Sequence, residues 1–203
     1  MSMTTSSTTS ATSAITQPTY ARLTDGTSLA MRGAMDDDLP EVLALHARCS
    51  SRALAGRYLA DGRAPSRRMQ RSLLRTHIAL VARSPAGSVV ALGNLAPADD
   101  DPGIAEVAVL VRDDWQHRGL GTSVLRQLVA GARMHGYDEV VAIAPNGGGW
   151  VTGALGRLGD PLLQRTPFGE AVVRLALAPH HRGLLGAPAV HPPRLSVSRP
   201  GVA

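Results

Sequence analysis

The sequence predicts an α/β fold, a mixed central sheet flanked by helices, and three observations point there. Val107, Val109 and Val111 alternate with Ala108 and Leu110, the pattern of a buried strand. A glycine turn at Gly119 and Gly121 follows, and then a long apolar stripe at helical spacing: Gly121, Val124, Leu125, Leu128, Val129 and Ala132. Around this unit, strand-like and helix-like segments succeed one another in the order β-α-α-β-β-β-α-β-α-β-β. A chain of 203 residues with 44% apolar content can bury one domain core. Aromatics make up only 3%, so that core must be built from Ala, Val and Leu.

Taken in order, residues 1 to about 22 are Ser/Thr-rich and are expected to be a disordered polar tail. They have neither the basic start nor the apolar run of a secretory signal. Ser28 to Met35 reads as a strand. Asp36, Asp37 and Asp38 then precede Leu39-Pro40, which suits a helix start. Leu39, Val42, Leu43 and His46 share one face of that helix, expected to end near Ser50. A second helical region covers about Ser51 to Arg75, broken near Asp61-Gly62 and Pro65. Ile78 to Arg83 and Val89 to Leu95 are strands around the turn Ser84-Pro-Ala-Gly87. The central strand starts at Ile104, and the long helix ends at Gly136, a glycine stop. Val140 to Ala144 is a buried strand. Trp150 to Leu158 can form a short helix, weakened by the glycines before it. Leu162 to Arg165 and Ala171 to Leu177 form a closing hairpin. The folded domain is expected over 23–178, with a Pro/Gly-rich tail over 179–203.

Charge and cysteine usage narrow the function. All 21 basic residues are arginine, and the net charge of +5 fits an anionic ligand. Eight arginines lie between Arg48 and Arg75 against the single acid Asp61. Tyr58 is the one aromatic within that run, so it lacks the stacking platform of a nucleic-acid-binding surface, and nucleic acid is not the expected partner. The single Cys49 excludes an internal disulfide and fits a cytoplasmic location. No stretch approaches the roughly 18 apolar residues of a membrane span.

The stretch from Val107 to Thr122 carries the chemistry. The first amides of a helix have no intrahelical partner, and the helix dipole puts partial positive charge there. Glycines let a phosphate approach that backbone, and Arg118 adds a permanent cation. No Gly-Lys-Ser/Thr follows, and the third glycine of the dinucleotide fingerprint is missing.

The pattern Gln116-x-Arg118-Gly119-x-Gly121 after a Val-x-Val strand resembles the acyl-CoA-binding motif of the GNAT N-acetyltransferase superfamily. The element order is that of the same family, so the resemblance covers about residues 28 to 178. It implies a GNAT-type, mostly antiparallel central sheet flanked by helices. It implies acetyl-CoA as co-substrate, with its pyrophosphate on this loop, and no metal. The residues it assigns to the co-substrate are Val109, Val111, Gln116, His117, Arg118, Gly119, Leu120, Gly121 and Thr122, with Asn146 on the pantetheine arm.

Acyl transfer to an amine calls for a base. Glu106 is the one carboxylate inside the central strand, flanked by Ile104, Ala105, Val107 and Ala108, and desolvation there is expected to raise its pKa. Ala105-Glu106-Val107-Ala108-Val109, with Asp113-Asp-Trp-Gln116, resembles the bacterial protein lysine acetyltransferases, in which the matching glutamate is the base. His46-Ala-Arg48-Cys-Ser50 and Arg57-Tyr58 resemble the same branch, where this region walls the acceptor site. Many family members carry a leaving-group tyrosine on the helix after the fifth strand; Trp150 to Leu158 has none. Cys49 reads as a small buried residue rather than a nucleophile, and His46 as a core histidine. His180 and His181 lack metal-site spacing. The expected function is acetyl-CoA-dependent transfer to a primary amine, a protein lysine, in a ternary complex, by a monomer or homodimer. The competing readings are a catalytically weak acyl-CoA-binding domain and a small-molecule amine acetyltransferase.

Overall fold

Ile, Val and Leu alternation sorts the side chains of each strand onto two faces, and helices cover both. The computed structural model describes residues 18–98, 101–145, 148–167 and 169–177. The strands are β1 (Thr19–Arg22), β2 (Ser28–Gly33), β3 (Ile78–Arg83), β4 (Val89–Pro97), β5 (Ile104–Val111), β6 (Glu139–Ala144), β7 (Leu162–Arg165) and β8 (Ala171–Ala176). The helices are α1 (Leu39–Ala47), α2 (Ser51–Tyr58), α3 (Arg67–Leu73), α4 (Leu120–Met134) and α5 (Gly149–Leu155). All strands join one sheet in the order β1-β2-β3-β4-β5-β6-β8-β7. Every pairing is antiparallel except that of β5 with β6. This is the mixed, mostly antiparallel GNAT architecture that the sequence predicts.

Two apolar layers follow. Val107, Val109 and Val111 of β5 face α4 and α5, packing with Leu120, Val124, Leu125, Leu128 and Val151. Leu110 faces the other way, with Leu92, Val42, Leu45, Leu54 and Leu73 of the α1–α3 side. Helix α4 lies close on the sheet because Gly93 has no side chain: a Cβ there would stand 2.4 Å from Cγ1 of Val124. Met134 is the last residue of α4, and Gly136 follows at φ +74°, the left-handed stop expected of it. Asp38 enters α1 fully buried, holding Arg32 at 2.7 Å, Arg83 at 2.6 Å and the Met35 amide at 2.8 Å.

Two expectations are corrected. Residues 19–22, assigned to the polar tail, form β1 and pair with β2. The strand is four residues long and buries only Ala21, so its periodic signal is lost beside the Ser/Thr run. The break expected near Asp61-Gly62 and Pro65 divides Ser51 to Arg75 into two helices, one more than the predicted element order counts. Leu59 ends α2 in the left-handed region, and Ser66 caps α3 by accepting from the Met69 amide. The rest of the first expected tail, residues 1–17, and all of the second, 179–203, lie outside the described residues.

Candidate active site

Strands β5 and β6 pair over only three positions: Ile104 with Glu139, Ala105 with Val140, and Glu106 with Val141. Beyond that point β5 continues alongside β4, to Val111 opposite Ala91. Strand β6 continues alongside β8, to Ala144 opposite Ala171. The two strands therefore part, and a cleft opens between them. Its walls are Val107, Ala108 and Val109 on one side and Ala142, Ile143 and Ala144 on the other. Leu125, Trp150 and Val151 close it on the α4–α5 face, and Gly56 and Arg57 border it on the α2 face. The cleft is lined from both faces of the sheet, at a gap in its hydrogen bonding.

The glycine turn stands at the α4–α5 end of this cleft. Gln116 fastens it to the strand by donating from Nε2 to the Val111 carbonyl at 2.9 Å. His117 and Gly119 both turn left-handed, at φ +58° and +85°. That conformation costs a side-chain-bearing residue of order 1–3 kcal/mol, so His117 holds backbone strain. Ser123 donates to the Gly119 carbonyl at 3.0 Å. The amides of Leu120, Gly121 and Thr122 precede that helical bond and have no backbone acceptor among the described residues. The Leu120 side chain is buried in the core, so only its amide faces outward chemistry. Thr122 is half-buried in the first turn.

The two glycines differ in purpose. At Gly119 the left-handed backbone is the requirement, since the nearest atom to an added Cβ is Cγ2 of Thr24 at 3.9 Å. At Gly121 an added Cβ would make ordinary contacts, 3.5 Å from Cζ3 of Trp150 and 3.7 Å from Cγ2 of Val111, so a methyl fits there. A longer side chain at 121 meets the indole. Arg118 lies over the Trp115 ring, 5.2 Å from its centroid, and reaches Asp25 Oδ2 at 3.3 Å.

On the other face, Glu106 and Arg57 stand together. Glu106 is exposed, which corrects the expected desolvation of its carboxyl. Strand alternation sends Ala105 and Val107 into the core on the opposite face and leaves Glu106 outside it. Arg57 is half-buried, and its Nη2 donates to Asn94 Oδ1 at 2.9 Å. Burial pulls the guanidinium below its ordinary value, against the opposing charges of Tyr58 and Glu106. Asn94 is itself buried and donates to the Leu73 carbonyl at 2.7 Å and to Thr76 Oγ1 at 3.1 Å. This Arg57–Asn94 bond spans 37 residues and has no local sequence signal.

His46 is a satisfied core residue. Its Nδ1 donates to the Val42 carbonyl at 2.7 Å, which leaves Nε2 to accept from the Tyr58 hydroxyl. Burial, followed by the charge of Arg57, lowers its pKa and keeps it neutral. Cys49 is half-buried. Burial first, and then the charge of Asp113, push its thiol up to about 12. Asn146 lies outside the described residues. Trp150 has no place in the sequence-level site, yet it lines the cleft. Among the described residues, no group of three or more His, Cys, Asp or Glu is placed to hold a metal ion. No helix of the described residues is long and apolar enough to cross a membrane.

The strand-loop-helix turn and the parting of the parallel strands β5 and β6 are what the GNAT resemblance leads one to expect, and comparison with known proteins agrees. The acetyltransferase (GNAT) family matches residues 42–148, more than half of the chain, and the chain belongs to that family. Its class of activity is N-acetyl transfer. The fold is similar to the GNAT domain of PAT from S. lividans, with TM-score 0.68 and 21% identity over 79% of this chain and 97% of that one. It is similar to a phosphinothricin acetyltransferase from Sinorhizobium meliloti solved with AcCoA, with TM-score 0.62 and 16% identity over 76% and 94%. It is also similar to a ribosomal-protein-alanine N-acetyltransferase from Brucella melitensis, with TM-score 0.57 and 20% identity over 72% and 99%.

Proposed function

We propose that this chain transfers the acetyl group of acetyl-CoA to a primary amine, a lysine on another protein, by direct attack in a ternary complex. The observation that carries this reading is the cleft through the sheet gap. Its lining includes Trp150, which stands beside Gly121 on one face, and Arg57, which lies within electrostatic reach of Glu106, on the other. A donor and an acceptor approaching from opposite faces would meet where the strands part.

The residues present fit acetyl-CoA. Left-handed His117 and Gly119 turn the loop so that the amides of Leu120, Gly121 and Thr122 face an anion, and Arg118 adds charge beside them. Val109 and Val111 give the arm an apolar wall along the cleft. When bound, acetyl-CoA supplies an activated thioester. Its thiol has an ordinary pKa near 8.5, so the leaving thiolate does not require the missing tyrosine.

Glu106 receives the proton of the attacking amine, directly or through a water. A lysine-type amine with pKa near 10.4 is neutral only about once in a few thousand molecules at pH 7, so a base beside it matters. Arg57 lies within the electrostatic reach of Glu106. The raised thiol of Cys49 supports direct attack over an acyl-cysteine route.

The deciding experiment is thiol release from acetyl-CoA with a panel of proteins, N-terminal peptides, polyamines and aminoglycosides, followed by mass spectrometry of the products. Lysine-acetylated protein is the expected result. Acetylation of small amines alone overturns the acceptor. Tight acetyl-CoA binding with no thiol release from any amine overturns the catalytic reading in favour of a binding domain.

A further inference from the structure

Trp150 is one of the two tryptophans of the chain, and 54% of it is exposed. A lone exposed aromatic is ordinary on a protein surface, so exposure by itself says little. Its position says more. The indole edge packs against Gly121 in the first turn of α4 and shares a cleft wall with Val109, Leu125 and Val151. It therefore sits between the outward amides of the glycine turn and the gap in the sheet.

The start of α5 fixes it there. Gly148 is left-handed at φ +63°, and a Cβ on it would come within 2.9 Å of the Ala171 Cβ on β8. Its carbonyl accepts from the Thr152 amide at 2.9 Å and from Thr152 Oγ1 at 3.1 Å. Gly148 can thus lie flat on the sheet, which brings the first turn of α5 over the first turn of α4.

We propose that Trp150 is a specificity wall for the co-substrate. Its open indole face packs on the branched, apolar pantoyl part of the coenzyme A arm, where that arm leaves the diphosphate and enters the cleft. This rests on the proposed placement of the diphosphate at the start of α4. Coenzyme A is anionic at its diphosphate and its 3′-phosphate, but only the diphosphate joins the arm, whose next segment carries two methyl groups on a quaternary carbon. Trp150 is the large apolar surface beside that point, and the Val111 side chain stands across Gly121 from it.

The test is calorimetric titration of wild type, Trp150→Ala and Trp150→Phe with coenzyme A and with 3′-phospho-ADP, which carries the nucleotide and diphosphate but no arm. Trp150→Ala should weaken coenzyme A about ten- to hundredfold, the loss expected for one large apolar contact. The same variant should leave 3′-phospho-ADP within about twofold, and Trp150→Phe should recover most of the loss. Unchanged coenzyme A affinity in Trp150→Ala overturns the proposal. Equal losses for both ligands also overturn it, because they assign Trp150 to the nucleotide or to the loop. A second measurement does not depend on how that variant folds. In Trp115→Phe, Trp150 is the sole emitter, and saturating coenzyme A should shift its fluorescence while 3′-phospho-ADP should not; equal responses count against the arm contact. If wild type binds neither ligand, the placement of the diphosphate itself fails, a distinct outcome.

Discussion

Glu106 pairs in register with Val141, and this is the last pair that β5 and β6 share. Arg57, which borders the cleft, lies within electrostatic reach of the Glu106 carboxylate. Replacing Glu106 with Gln keeps the shape and removes the proposed base. Turnover should fall by roughly 10²–10⁴-fold, while acetyl-CoA affinity stays near wild type. The acid limb of the pH–rate profile should flatten, because it reports protonation of this group. Normal turnover with an unchanged profile would refute the role.

Asp25 competes for Arg118. Its Oδ2 lies 3.3 Å from the guanidinium, and both side chains are about two-fifths exposed. Exposed pairs of this kind contribute little, because water and salt screen them. Asp25→Asn should therefore tighten acetyl-CoA binding by no more than about fivefold at low salt, with the gain shrinking as salt rises. The Thr27 amide bond to Oδ1 can persist in the variant, so the turn keeps its shape. Weaker binding in Asp25→Asn would mean that the carboxylate positions Arg118 rather than drains its charge.

The sequence shows most of the fold because period carries it. Helix α4 and strand β5 each repeat apolar residues at their own spacing, and Gly119 and Gly121 mark the join. What stays hidden is short or non-local. Strand β1 is too brief to repeat. Asn94 meets Arg57 across 37 residues. Trp150 follows glycines that read as helix breakers, whereas Gly148 serves the packing of α5 on β8. Glu106 illustrates a subtler gap. Its chain neighbours are apolar, but a strand sends adjacent side chains to opposite faces, so those neighbours do not bury it.

Cys49 should be dispensable. Burial and the Asp113 carboxylate push its thiol up to about 12, so at neutral pH the nucleophilic thiolate is nearly absent. Cys49→Ala should retain activity within about twofold, far less than the loss of a working nucleophile. Native alkylation by iodoacetamide should stay slow up to about pH 10 and accelerate as pH approaches 12. A burst of free thiol without acceptor, lost in Cys49→Ala, would overturn direct attack.

Asp38 sets an acid limit on stability. Burial opposes its ionisation, but Arg32, the Met35 amide and Arg83 outweigh burial and lower its pKa from 3.8 to about 2. The folded state thus holds the proton less tightly than the unfolded chain. Its contribution is complete above about pH 4 and is lost as pH falls through about 2. The linkage is worth about 2 kcal/mol. Asp38→Asn should cost about 3 kcal/mol at pH 7, because it leaves two partly buried arginines without their carboxylate. The gap from wild type, measured by urea unfolding, should narrow between pH 4 and pH 2. A gap that does not change over that range would place the cost in packing alone.

The arginine surface makes the last prediction. Arg48, Arg52, Arg67, Arg68 and Arg71 are exposed, and α2 borders the cleft through Gly56 and Arg57. Such a surface attracts acidic protein and repels polycations. Lysines set among Asp and Glu should therefore be the better acceptors, and aminoglycosides poor ones. Screening acts over about 10 Å at 0.1 M salt, so kcat/KM for a protein acceptor should fall as ionic strength rises. Acetyl-CoA affinity should fall less, because the proposed diphosphate site offers amides as well as charge. The double substitution Arg67→Glu, Arg68→Glu should mimic salt: kcat/KM for the protein acceptor drops several-fold, and its salt dependence flattens. Initial rates at 50 and 300 mM salt, on wild type and this variant, decide the matter. Identical salt slopes would remove α3 from the acceptor surface.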